Sequence, residues 1–294
     1  MRTAIEKNST FYKDMARLAF PIVIQNLVTT AVSSADVVML GFVSQDALAA
    51  GSLASQIMFI LNLVYSGISS GVIMLAAQYW GKKDTLTIEK IMGIAMRLSM
   101  AVSFVFFLLA YFCPGLLMHI FTNDAVLIKT GIPYLRIVSF SYLFMSFSQV
   151  YLCTMRSIER VIFATAANGS ALVLNILLNA VFIFGLLGAP QMGIAGVALA
   201  TTISRGIELL ICVIDTLHFK TLRFRPRTLF ERHRLLFSDF IRYSLPAFGN
   251  EVSWGVAFSM YSVIMGHLGS DMVAANAVVV VARNLGTVVC FGIA

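Results

Sequence analysis

Two carboxylates stand where carboxylates are costly. Asp36 is the only charge between Leu18 and Gln45, and Glu251 lies midway along another long apolar stretch. A charged acid in hydrocarbon costs several kcal/mol unless it is protonated, paired or hydrated. Such a group suits the uptake and release of a cation. It suits equally a structural carboxylate satisfied by neighbouring hydroxyls. Asn168, Asn175 and Asn179 recur at spacings of seven and four, which puts them on one helix face. Asparagine in that setting either ligates or bonds across to a neighbouring helix. Depth favours ligation. At about 1.5 Å per residue, Asp36 falls roughly 8 Å below Gly41, Asn179 roughly 10 Å and Asn175 roughly 16 Å below the outer end of their helix, and Thr201 roughly 12 Å below Gly193. All four can therefore share one level. A carboxylate, two amide oxygens and a hydroxyl fit Na⁺, a hard ion that prefers oxygen. They also fit a proton held on Asp36.

The elements that must position these groups are long apolar helices. The chain has 294 residues, 59% hydrophobic and 12% charged. A soluble protein carries about 25% charged residues. The runs Ala47–Gly81, Leu98–Asn123, Ile137–Met155 and Val161–Ser204 carry no charge at all. A membrane span needs about 20 apolar residues. Helices are predicted over 14–42, 47–80, 92–121, 131–156, 161–186, 193–217, 239–267 and 271–294. The stretch 47–80 is too long for an upright span, so tilt or a bend near Gly67 and Gly71 is expected. Seventeen of the 21 lysines and arginines then fall on one side and only Lys129 and Arg136 on the other, with Arg205 and Arg283 inside spans. This bias puts the N-terminus in the cytoplasm.

The net charge of +7 is explained by those loops, so nucleic acid is not implied. Cys113, Cys153, Cys212 and Cys290 all sit in apolar runs and match no metal or disulfide spacing. The polar first fourteen residues do not resemble a removable signal. No nucleophile, metal or phosphate-cradling motif appears, so an enzyme is not expected and no cofactor is implied. Arg205 and Glu208 lie three residues apart and can pair on one helix face, a structural arrangement.

The chain also repeats itself. Shifting it by 225 residues lays 17–50 over 242–275 without a gap and pairs Arg17 with Arg242, Pro21 with Pro246, Gly41 with Gly266 and Asp46 with Asp271. Six spans separate the copies, so the repeat is parallel, about an axis along the membrane normal. The expected fold is an all-α polytopic membrane protein: a six-helix transmembrane bundle (1–217), a basic cytoplasmic linker (218–238) and the first two helices of a parallel-repeated second bundle (239–294). The apolar, uncapped end at Ala294 suggests a chain truncated in its eighth helix. Pro21 and Pro246 each remove a backbone hydrogen bond and permit a bend.

The stretches "FP...Q......ADVVMLG", "DALAAGSLA", "AAQYWGKKD", "PYLRI", "NILLNAVFIFG" and "GIAGVALAT", in that order, resemble the multidrug and toxic compound extrusion (MATE) family. The resemblance implies twelve helices in two lobes around a central cavity. It implies a cation-coupled antiporter in the plasma membrane, probing no partner but lipid and its amphipathic or cationic small-molecule substrate, and working as a monomer by alternating access. Na⁺ or H⁺ would be the coupling ion, held at Asp36, Asn175, Asn179 and Thr201, with Glu251 where some family members carry a cation-site glutamate. Bending of the first helix at Pro21 would accompany coupling. The family often has a second acid where Asn179 stands, so Asp36 is the sole acid of its cluster. Tyr261 replaces the repeat mate of Asp36. Lipid-linked precursor flippases share the architecture and are the alternative, alongside a non-transporting membrane scaffold.

Overall fold

The computed structural model describes residues 36–188, 190–218 and 233–293, with side chains as far as 283 apart from residue 187. Pro21 and most of the first predicted span lie outside the described residues, as do 219–232 of the expected linker. Every regular element among the described residues is helical. They are α1 (36–43), α2 (Gln45–Gly81), α3 (Thr85–Phe112), α4 (Pro114–Phe121), α5 (Ala125–Ser157), α6 (Val161–Phe184), α7 (Ile194–His218), α8 (Arg234–Leu268) and α9 (Ser270–Ile293), with a short 3₁₀ turn at Leu186–Gly188. Among the described residues α2, α3, α5, α6 and α7 are long and apolar enough to cross a membrane.

The boundaries follow from local chemistry. Ser44 alone separates α1 from α2. Its backbone is extended, and its hydroxyl accepts from the Ala47 amide at 3.0 Å, capping α2. Asp84 caps α3 and Asp124 caps α5 in the same way, at 3.1 and 2.8 Å. The α5 cap corrects the predicted start at 131: the helix begins at Ala125 and runs through Pro133. The predicted span 92–121 is in fact two helices. Pro114 has no amide hydrogen and disfavours helical geometry at Cys113, so the chain breaks there and Pro114 opens α4. Gly185 closes α6 with a left-handed φ of 68°. His218 ends α7 and Arg234 begins α8, so both ends of the stretch 218–238 are helical.

Helix α2 is the hub, packing on α3, α5, α8 and α9, while α7 packs on α5 and α6. It is one unbroken helix, so Gly67 and Gly71 do not interrupt it. They serve close approach instead. A Cβ on Gly67 would meet Phe248 of α8, and one on Gly71 would meet Ser244 and Phe240. Two apolar cores stack along the bundle. One gathers Leu53, Leu61, Phe121 and Tyr142, the other Met92, Met96, Tyr151 and Phe240. The helices matched by the sequence repeat, α2 and α9, begin side by side, where the Gln45 amide donates to Asp271. Helix α8 is continuous through Pro246.

Candidate cation-binding site

Four of the predicted site residues meet. Asp36 comes from α1, Asn175 and Asn179 from α6, and Thr201 from α7. The Asn179 amide donates to Asp36 Oδ1 at 2.5 Å and also reaches Asn175 Oδ1 at 3.3 Å. The Asn175 amide donates in turn to Thr201 Oγ1 at 3.2 Å. The spacing of four residues in α6 puts both asparagines on one face, with Asn179 fully buried and Asn175 nearly so. The result is a continuous polar chain across three helices, ending in a carboxylate.

The chain is incompletely satisfied. Asn179 Oδ1 is buried and accepts no hydrogen bond from the described residues. A buried polar atom left unpaired costs about 1–3 kcal/mol. Among the described residues no lysine or arginine forms an ion pair with Asp36. A carboxylate without a paired cation, next to an unclaimed amide oxygen and a hydroxyl, is a donor set for a small hard cation or a proton. No group of three or more His, Cys, Asp or Glu side chains able to hold a metal occurs among the described residues, so any metal held here would rest mainly on neutral oxygens.

The site opens on a cavity of about 370 Å³ whose wall includes Asp36, Asn175 and Thr201. Sequence reading missed much of that wall. Ser52, Ser55, Gln56 and Asn62 on α2 line it, and Asn276 on α9 joins them. The α2 residues do leave a signal, a polar stripe at helical spacing within a charge-free run. Asn276 leaves none, because its position depends on how α9 packs against α2. Tyr134 of α5 and Ser204 and Arg205 of α7 complete the polar lining among the described residues. Glu251 does not join the cluster. It stands partly exposed on α8, away from the cavity wall, with no hydrogen-bond or ion-pair partner among the described residues.

The MatE family model matches residues 21–181, more than half of the chain. The chain belongs to the MATE family. It is therefore a membrane protein, in keeping with the five span-length apolar helices among the described residues. Among curated MATE-like relatives, it is 25% identical over 280 residues to an uncharacterized transporter, YisQ, of Bacillus subtilis, covering 92% of this chain and 59% of that protein. It is 27% identical over 282 residues to a probable multidrug resistance protein NorM of Mesorhizobium japonicum, covering 94% and 60% respectively. The chain thus spans about 60% of the length of the curated relatives it matches. An outward-facing multidrug resistance MATE transporter of the MOP superfamily superposes with a TM-score of 0.81 at 21% identity, over 95% of this chain and 61% of that one. A MOP superfamily transporter from Pyrococcus furiosus gives 0.80 at 22% identity over the same shares. These solved structures establish the MATE fold.

Proposed function

We propose that this chain belongs to an antiporter that exports amphipathic or cationic small molecules by alternating access, driven by inward Na⁺ or H⁺. The observation that carries the reading is the chain Asp36–Asn179–Asn175–Thr201, which leads from a carboxylate without a paired cation into a polar cavity between apolar helices. Relatives described as multidrug resistance proteins support the substrate class. Residues 1–217 would form one lobe, 218–238 the cytoplasmic connection and 239–294 part of the other.

In this reading Asp36 takes the coupling cation, Asn179 orients its carboxylate, and Asn175 and Thr201 supply neutral oxygens. Cation binding removes the charge that opposes contraction of the site, so it favours one cavity conformation over the other. Pro21 and Pro246 let their helices bend in that change. Glu251 would serve a cation in the second lobe. The basic bias of the loops supports a cytoplasmic N-terminus. Plasma-membrane placement and a monomer complete the proposal.

The test is transport by the protein reconstituted in liposomes. Dye efflux should rise with an imposed Na⁺ or H⁺ gradient and lose that dependence in Asp36→Asn. Efflux indifferent to both gradients would sink the reading. One observation favours a second reading, flipping of lipid-linked precursors: Arg205 lines the cavity and could meet a diphosphate. Movement of a fluorescent lipid diphosphate between leaflets, without gradient-driven dye efflux, would support it instead.

A further inference from the structure

Helix α7 carries a second acid that the mechanism above leaves unused. Glu208 is fully buried, one helical turn beyond Ser204 on the face that also presents Thr201 and Arg205. Its Oε2 accepts from Arg205 Nη1 at 2.5 Å, and its Oε1 is buried with no partner among the described residues. Arg205 has five N–H donors. Only Nη1 has a partner among the described residues, and the side chain is 18% exposed. That exposure is on the cavity, since Arg205 lines the same space as Asp36. Among the described residues the pair is therefore half-satisfied at both ends, and its cationic member shares open space with an acid that has no ion-pair partner there.

We propose that Arg205 is a tethered cation that competes with the coupling ion for Asp36, and that Glu208 is the positioning residue that holds it back. While Glu208 is charged, Arg205 stays on it and Asp36 is free to take a cation. When Glu208 takes a proton, the hold is lost and Arg205 turns through the cavity to Asp36, displacing the ion there. The proton ends on a Glu208 carboxylate oxygen, and no covalent bond is made or broken elsewhere. Helix α6 has no titratable side chain. Helix α5 brings Tyr134 to the cavity, Tyr142 to the core beside it, and Tyr151 to Asp215, and α2 brings Tyr65. Cys212 follows Glu208 on α7 and is buried. Among the described residues Asp36 is the only carboxylate on the cavity wall. The inference rests on Asp36 being the cation acceptor proposed above, but not on transport itself.

The test is infrared titration of the protonated Asp36 carboxyl band, assigned by its loss in Asp36→Asn. Glu208→Gln keeps the shape of the side chain and removes its charge. It should release Arg205 onto Asp36 and weaken proton binding there at least tenfold, the effect of an arginine brought beside an aspartate. The double variant Arg205→Gln/Glu208→Gln removes the tethered cation and should restore the wild-type affinity or exceed it. Should Glu208→Gln not fold, the comparison of wild type with the double variant still decides. The wild-type curve should be broader than a one-proton titration, because the two acids are coupled through Arg205, and the double variant should follow a one-proton curve. Equal Asp36 affinity in wild type and Glu208→Gln would overturn the proposal. So would identical curve shapes in wild type and double variant, or a wild-type Asp36 that never protonates, since it would then already hold a permanent cation. Loss of gradient-driven transport with the titration shift intact would count against the antiporter reading alone.

Discussion

Helix α7 carries two arginine–carboxylate contacts, and they are built in opposite ways. Near its end, Asp215 is gripped by Arg160 through two parallel bonds of 2.8 and 3.0 Å, and Tyr151 donates a third at 2.6 Å. The Arg160 guanidinium also lies 4.7 Å from the Phe163 ring centre. Three turns earlier, Arg205 meets Glu208 through one nitrogen, leaving a buried carboxylate oxygen unclaimed. Bidentate pairing fixes geometry as well as charge. A single-nitrogen contact holds its arginine less firmly, and a half-satisfied buried pair stabilises little. One acid holds the bundle together, and the other is left free to change partners. Asp215 clamps α5, the α5–α6 turn and α7. Glu208 and Asp36 face, or lie beneath, a cavity where groups can exchange partners.

Removing the clamp should have the largest effect. Asp215→Ala strips three bonds and leaves Arg160 partly buried without its acid, a loss of about 3 kcal/mol. Thermal unfolding in detergent should register it, and a melting temperature equal to wild type would erase the contrast. Tyr151→Phe takes away one charge-assisted bond from the same site and should cost about 1–2 kcal/mol by the same assay. The other pair should behave in the opposite sense. Arg205→Met/Glu208→Leu replaces a poorly satisfied ion pair with apolar side chains and should change stability by less than about 1 kcal/mol, or raise it. A large loss there would mean that both pairs are structural.

The smallest effect belongs to an acid outside the membrane. Asp84 receives the Thr87 hydroxyl at 2.6 Å and the Thr87 amide at 3.1 Å, and these bonds hold its carboxyl below the usual carboxylate range. A lowered folded-state value stabilises above the ordinary carboxylate pKa, and the gain disappears as pH falls through the lowered one. Asp84→Ala should therefore melt slightly earlier than wild type at neutral pH and together with it below about pH 3. A gap that persists in acid would assign the effect to helix propensity rather than charge.

Much of the fold was legible because hydrocarbon imposes length and apolarity directly, and charge-free runs mark spans without any knowledge of packing. The misplaced boundaries were those set by single residues inside apolar text. Pro114 splits one predicted span, and Asp124 extends another by two turns. Gly67 and Gly71 stood out as places for a bend, and their contacts with α8 were not legible, since a glycine reads the same in either use. Within the candidate site, Asp36, Asn175, Asn179 and Thr201 could be brought to one level from helix rise alone. Arg205 and Glu208 were visible as a pair, but the orphaned oxygen and the shared cavity depend on how α7 packs against α5 and α6. Glu251 could be picked out by its isolation in an apolar stretch, yet isolation along the chain does not specify neighbours in space.

The most direct measurement is Na⁺ and proton binding to the purified protein, followed by calorimetry, for wild type against Asp36→Asn. The variant should lose at least tenfold in affinity for whichever of the two ions wild type binds in this cavity, with its melting temperature little changed. Affinities for both ions within twofold of wild type would contradict a cation site at Asp36.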